Sequence, residues 1–324
     1  MKVCHFADLQ SVVRGGQETS VRQQREALDR AGVDYTTDPR GDYDLLHLNI
    51  LGPRCLYHFH RARRKDIPVV VHAHNNGEDF RRSFRFSNQL APLVDRWMNH
   101  FYRGADHVVA PSRHTADLVQ AKGIDTPVDV VSNGVDTDRL DGYDDLDRRT
   151  DTFTALNLGI RIERKGLSDF VETGRRMPDT AFRWYGPELN RIVRSRGAHR
   201  TMNNAPDNVK FPGYIDDVRQ AFADADVFFF PTRHENQGIA LLEAAYCGVP
   251  LLVRDISTYK GWLEHETNCL KADSIDGFVE QLQRLQEDEE LRDRLGAAAQ
   301  DMAEDHTLDR VGDQLRGVYS DVLD

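Results

Sequence analysis

Val227-Phe228-Phe229-Phe230, continuing into Pro231-Thr232-Arg233-His234-Glu235-Asn236-Gln237-Gly238-Ile239-Ala240-Leu241-Leu242-Glu243-Ala244-Ala245-Tyr246-Cys247-Gly248-Val249-Pro250, is the stretch on which the fold turns. Its unbroken apolar start reads as a strand buried on both faces, the habit of parallel sheets. Gly238 sits where a helix should begin, so Glu235 falls in the loop at the strand's carboxyl end and Glu243 just over a turn into the helix. That edge is where open parallel sheets bind ligands. Backbone N–H groups near Gly238, at a helix N-terminus, suit an anion. Two acceptor-only carboxylates beside such a site suit a ligand rich in hydroxyls and joined through phosphate, and a nucleotide sugar fits. Taken alone, two glutamates eight positions apart also describe a surface loop and an ordinary amphipathic helix. The surrounding order of strand, loop, glycine, helix and a second apolar strand at 251–253 favours the crevice.

Outward from this stretch, apolar strand candidates alternate with helical ones, the pattern of α/β folds with parallel sheets. In the first half the strands are predicted at 3–7, 33–35, 45–48, 68–72, 107–110 and 128–131, with helices at 17–31, 89–102 and 113–121 among those between. A polar, Asp-rich run over 136–151 breaks the pattern and reads as a linker, drawn at 141–151. Strands resume at 153–157, 181–185, 209–211, 227–230 and 251–253, and charged helices follow from 273. Two doubly wound domains, 1–140 and 152–307, are the economical architecture.

A second cationic element follows the strand at 153–157: Leu158-Gly159-Ile160-Arg161-Ile162-Glu163-Arg164-Lys165-Gly166. Its cations fall at the same carboxyl edge as Glu235. A departing diphosphate gains negative charge as its bond breaks, and fixed cations there stabilise that charge more than the ground state. In the first half, Gly15-Gly16 between a strand and a helix allows backbone to approach a ligand closely. Val69-Val70-Val71-His72-Ala73-His74-Asn75-Asn76-Gly77-Glu78-Asp79-Phe80 ends a buried strand in two histidines and a polar loop. Alternation places both rings on one side, so one of them also reads as a satisfied core residue. A metal pair is a further reading, but no other ligand cluster supports it.

The segment 235–243 with its context resembles the donor-binding signature of the family 4 retaining glycosyltransferases. That resemblance implies the GT-B fold, two Rossmann-like doubly wound domains facing a central cleft. It implies an N-terminal acceptor-binding domain at 1–140, to which a final helix at 308–322 returns, and a C-terminal nucleotide-sugar domain at 152–307. It gives Glu235 to the donor sugar hydroxyls, Glu243 to the ribose, and the active-site role near the sugar to His74. The donor set it implies is Gly16, Arg164, Lys165, Glu235, Asn236, Gln237, Gly238, Ile239 and Glu243, with His74, Glu235 and Lys165 as the catalytic residues. The family carries an arginine several residues before its Lys-Gly; here Gly159 or Ile160 holds that place and Arg161 lies beside it.

The segments at 72–80, 83–102, 132–136, 163–170 and 253–256 are similar to one subgroup, the bacterial diacylglycerol α-glucosyltransferases, over most of the chain. The subgroup implies glucose, a UDP-linked donor and a membrane lipid acceptor. The acceptor or membrane region is then Glu78, Asp79, Arg81, Arg82, Arg85 and Trp97. Helix 89–102 carries Leu90, Leu93, Val94, Trp97, Met98 and Phe101 near Arg96 and Arg103, a stripe that suits a membrane interface and equally suits a core. A soluble saccharide or small-metabolite acceptor, a nucleotide-sugar epimerase and a non-catalytic binding module are the rival readings. The last of these should have lost Glu235 or Lys165, and the chain has both.

At 324 residues the chain suits two domains with cores of their own. Its net charge of −11 argues against nucleic acid as a partner. The basic run between 53 and 113 is read either as a solvated face or as a surface for anionic lipid. Cys4, Cys55, Cys247 and Cys269 lack zinc or disulfide spacing, and no run reaches the length of a membrane span. A cytoplasmic enzyme is expected, peripheral on the inner face of the membrane if the lipid reading holds. Asp224-Ala225-Asp226 and Asp136-Thr137-Asp138 spell a metal–diphosphate motif of another fold but fall away from the expected cleft. No cofactor and no essential metal are expected.

Overall fold

The computed structural model describes residues 1–8, 16–74, 87–189 and 195–324. Along the chain run β1 (Lys2–Phe6), α1 (Gly16–Arg30), β2 (Asp34–Thr36), β3 (Leu45–Leu48), α2 (Pro53–Arg63), β4 (Val69–His72), α3 (Ser87–Gly104), β5 (His107–Ala110), α4 (Arg113–Gln120) and β6 (Val128–Val130). Then come β7 (Thr154–Leu158), α5 (Leu167–Arg176), β8 (Ala181–Tyr185), α6 (Arg196–Asn203), β9 (Val209–Gly213), α7 (Arg219–Ala223) and β10 (Val227–Phe230). The chain closes with α8 (Ile239–Tyr246), β11 (Leu251–Arg254), β12 (Leu270–Ala272), α9 (Ile275–Glu287), α10 (Glu289–Glu304) and α11 (Leu308–Leu323).

Contacts divide the chain into two compact units, one of Met1–Glu78, Gln89–Val135 and His306–Asp324, the other with Asp136–Asp305 as its body. Each holds one six-stranded sheet, ordered β2-β1-β3-β4-β5-β6 in the first and β12-β11-β10-β7-β8-β9 in the second. Every pairing is parallel. Strand order therefore reverses between β1 and β3 in one sheet and between β7 and β10 in the other. At such a switch point the connections leave to opposite faces and open a crevice at the carboxyl edge.

The apolar runs are central strands: β3, β4 and β10 are buried at all four positions. In the second unit Phe170, Phe182, Trp184, Phe229 and Phe278 interlock, with successive ring centroids 5.0–5.5 Å apart. Each such pair adds about 0.5–1.5 kcal/mol beyond the area it buries. In the first unit α11 lies along α1, placing Leu308, Val311, Leu315, Val318 and Tyr319 in a core with Val3, Leu28, Val70 and Val109. Gly312 permits that approach, because a Cβ there would stand 2.2 Å from the Ala27 carbonyl oxygen.

β3, β5, β8 and β10 match the sequence expectation end to end, the other strands differ from it by one or two residues, and β12 is an addition. It is a three-residue edge strand, too short to carry a periodic signal. Residues 137–146 form successive turns against the second unit, closed by Leu140 N–H to Thr137 and Tyr143 N–H to Leu140. The aspartates of the 224–226 motif are structural: Asp224 pairs with Arg149 and Asp226 with Arg148, each at 2.5 Å.

Candidate active site

The second unit gathers most of the sequence-predicted donor residues at the β7/β10 switch point. Leaving β7, the chain passes Arg161 and forms a single 3-10 turn, Glu163–Lys165, ended by Gly166 at φ +82°. Glycine is required there, since a Cβ would lie 2.3 Å from the Pro231 carbonyl oxygen at the end of β10. That close approach carries Lys165 across to the neighbouring loop, where its ammonium ion-pairs with the Glu235 carboxylate. The same ammonium stands 5.1 Å from the Phe230 ring centroid, within cation–π range.

The two loops are knitted by backbone. Arg233 N–H donates to the Arg164 carbonyl at 2.9 Å, and Arg164 Nη1 donates to the His234 carbonyl at 2.8 Å. Thr258 Oγ1 donates to the Glu235 carbonyl at 2.7 Å. Beneath them, buried Asp169 accepts from Arg233 at 2.8 Å and from Arg254. Asp169 and Arg254, which lie in the subgroup-like segments 163–170 and 253–256, and Thr258 hold these loops in place, and the sequence reading assigned none of them.

Gly238 caps α8 at φ +101°, a conformation that a side chain would strain. Glu235, Gln237 and Glu243 are buried. Arg139, from the turns after β6, donates to Glu243 Oε1 at 2.7 Å. Ile239 opens the helix, Gly238 at its N-cap offers no side chain to cap it, and Asn236 N–H donates to Glu235 Oε1 at 3.2 Å. The unit thus presents two buried carboxylates, each held by a cation, with a helix N-terminus between them.

In the first unit the carboxyl edge of the sheet holds a buried histidine cluster. Asn49, just past β3, lies 2.8 Å from His74 Nε2 through Oδ1 and 3.0 Å from His5 Nε2 through Nδ2. The His72 ring stacks on His74 with centroids 4.1 Å apart, and on His47 at 5.7 Å. His47 Nδ1 meets the Tyr319 hydroxyl at 2.6 Å. Burial lowers the His74 pKa to about 3, aided by His5, and burial with Arg25 nearby lowers His5 equally. At neutral pH His74 is therefore an uncharged hydrogen-bonding ring. Both predicted histidines share one face, and His72 has no hydrogen-bond partner among the described residues.

Gly16 begins α1, and a Cβ added there would meet nothing within 4 Å, so packing among the described residues does not demand glycine. Glu78, Asp79, Arg81, Arg82 and Arg85 lie outside the described residues. Trp97 is half-buried and its indole donates to the Leu51 carbonyl at 2.7 Å. The apolar stripe of α3 divides: Met98 and Phe101 are core, whereas Leu90 and Leu93 are 44% and 67% exposed. Among the described residues no group of three or more His, Cys, Asp or Glu side chains is arranged to hold a metal. No helix there is long and apolar enough to cross a membrane.

Comparison with known proteins agrees with this arrangement. Residues 39–139 match the family described as Glycosyltransferase Family 4, and residues 148–302 match Glycosyl transferases group 1. The chain is 32% identical to the processive diacylglycerol alpha-glucosyltransferase of Acholeplasma laidlawii, over 100% of this chain and 99% of that protein. It is 26% identical to the alpha-galactosylglucosyldiacylglycerol synthase of Streptococcus pneumoniae, over 82% of this chain and 75% of that one. Among solved structures, HepE of Anabaena in complex with UDP-glucose superposes with a TM-score of 0.78 at 18% identity, covering 99% of this chain and 100% of that chain.

Proposed function

Because this chain belongs to the family 4 glycosyltransferases and has their GT-B fold, we propose that it moves glucose from a UDP-linked donor to a membrane lipid, with retention, forming an α-glycosidic glycolipid. The observation that carries this reading is the meeting of Lys165 with Glu235 at the β7/β10 switch point. The second unit takes the donor and the first takes the acceptor. Without donor, Lys165 and Glu235 neutralise one another. The donor exchanges that pair for two new ones, phosphate oxygen on Lys165 and sugar hydroxyl on Glu235.

Arg164 and the amides of Asn236, Gln237, Gly238 and Ile239 complete the diphosphate and sugar contacts, Glu243 takes the ribose, and Gly16 lets backbone approach the donor. The acceptor hydroxyl attacks the anomeric carbon on the face from which the β-phosphate departs. As the sugar–phosphate bond breaks, the phosphate oxygen takes the acceptor's proton, so nucleoside diphosphate leaves and the anomeric configuration is kept. Lys165 stabilises the charge that grows on the phosphate. Neutral His74 hydrogen-bonds the sugar near the reacting carbon. Every group assigned to the diphosphate belongs to the chain itself.

Glucose and a diacylglycerol-type acceptor are what the name of the Acholeplasma relative carries. The lipid reading is supported by exposed apolar and basic side chains on two helices of the first unit. Tyr57 is 67% exposed on α2 beside Arg54, Arg64 and Lys65, and Leu90 and Leu93 project from α3 near Arg96. Exposed apolar side chains with cations close by in sequence suit an anionic membrane surface, and Arg81, Arg82 and Arg85 precede α3 in sequence. The enzyme then works peripherally, on the cytoplasmic face. The test is nucleotide release from a panel of UDP- and GDP-sugars, with and without diacylglycerol vesicles. Release from UDP-glucose that depends on vesicles is expected; release that ignores vesicles and responds to a soluble sugar would remove the lipid acceptor.

A further inference from the structure

The Asp-rich stretch after β6 reads from its sequence as a tether, yet it sends one side chain into the candidate donor site. Its turns are fixed at several points: Leu140 is buried, Arg219 Nη1 donates to the Asp141 carbonyl at 2.9 Å, and Gln220 Nε2 donates to the Asp147 carbonyl at 3.1 Å. From this rigid segment Arg139 reaches Glu243 Oε1 at 2.7 Å through Nη1, and the Asp216 carbonyl at 3.3 Å through Nη2. The Glu243 side chain is 6% exposed and that of Arg139 is 28% exposed. A carboxylate this deep keeps its charge only when paired, and a guanidinium pair also fixes its orientation. Ribose hydroxyls are donors, and they bind an ionised, oriented carboxylate far better than a protonated or rotating one.

We propose that Arg139 is a positioning residue for nucleoside recognition: through Glu243, it sets the preference of this site for a ribonucleoside diphosphate sugar over its deoxyribose counterpart. The inference rests on the reading of Glu243 as the ribose partner. It places a specificity determinant in the turns that open the second unit, outside the sheet edges that supply the other site residues.

The test uses the full chain, UDP-glucose and 2′-deoxy-UDP-glucose, with Arg139→Gln, Arg139→Lys, Glu243→Gln and the double variant Arg139→Gln/Glu243→Gln. Arg139→Gln should raise KM for UDP-glucose by about tenfold while kcat changes by less than about threefold, the pattern of lost ground-state binding. Its KM penalty should fall below about twofold with the deoxy donor, and the double variant should bind no worse than Glu243→Gln alone. Arg139→Lys should recover part of the affinity. An unchanged KM in Arg139→Gln, or an equal rise for both donors, would overturn the proposal. Indifference of the unmodified enzyme to the missing hydroxyl would overturn it by removing the ribose role of Glu243. Thermal unfolding separates these failures. If the ion pair is as drawn, Arg139→Gln lowers Tm and adding Glu243→Gln restores it, whatever the donor does.

Discussion

At the scale of single residues, the site is built from compensated charges. Lys165 and Glu235 form an ion pair, so neither is a bare buried charge, and the proposed mechanism has the donor engage both by exchange. Lys165→Ala removes the ion-pair partner of Glu235 and, in the proposed mechanism, the cation that meets the leaving phosphate. Its kcat should fall by about 10²–10³, the usual cost of losing a transition-state electrostatic partner. KM for the donor should change much less, as steady-state kinetics at saturating acceptor will measure. Equal turnover would end the assignment. Gly166 is the residue on which that placement depends. Gly166→Ala should cost about 1–2 kcal/mol from the left-handed backbone alone, before the clash with the Pro231 carbonyl. Activity should drop with it as Lys165 is pushed from Glu235, which chemical denaturation and kinetics on one sample will register together.

At the scale of elements, the first unit hides histidines in its sheet. His5 and His74 are each lowered to about 3, and His47 and His72 fall well below the ordinary imidazole range, chiefly through burial. The unfolded chain takes up these protons near pH 6.5 and the folded one does not. Stability is therefore full above about pH 6.5 and is lost as pH falls toward 3, by up to about 1.4 kcal/mol per pH unit for each histidine. Urea unfolding followed from pH 7 to 4 should show this slope, and His72→Phe should flatten it; a level profile would contradict the burial. The elements themselves were legible where signal is local. The run 227–230 is β10, and Gly238 starts α8 because no other residue sits as easily at its φ. What is set by tertiary order was not. That β10 lies beside β7, and so brings Lys165 to Glu235, follows from strand order. Arg139 sits in aperiodic sequence, and three-residue β12 depends on β11 for its pairing.

At the scale of the whole molecule, a chain of net charge −11 exposes Arg54, Tyr57, Arg64 and Lys65 on and just after α2, and Leu90 and Leu93 on α3. If Leu90 and Leu93 meet the membrane, Leu93→Glu should weaken binding to anionic vesicles by several-fold, and it should leave UDP-glucose binding as it was. Cosedimentation and calorimetry measure the two separately. The central claim is a transfer of glucose to lipid with its anomeric configuration kept. The direct measurement is NMR of the lipid extract after incubation with UDP-glucose labelled with ¹³C at the anomeric carbon and diacylglycerol vesicles. The expected result is label in the organic phase as an α-glucosyl lipid. Label in the organic phase as the β anomer, or label that stays in water as free glucose or a soluble glycoside, would contradict it.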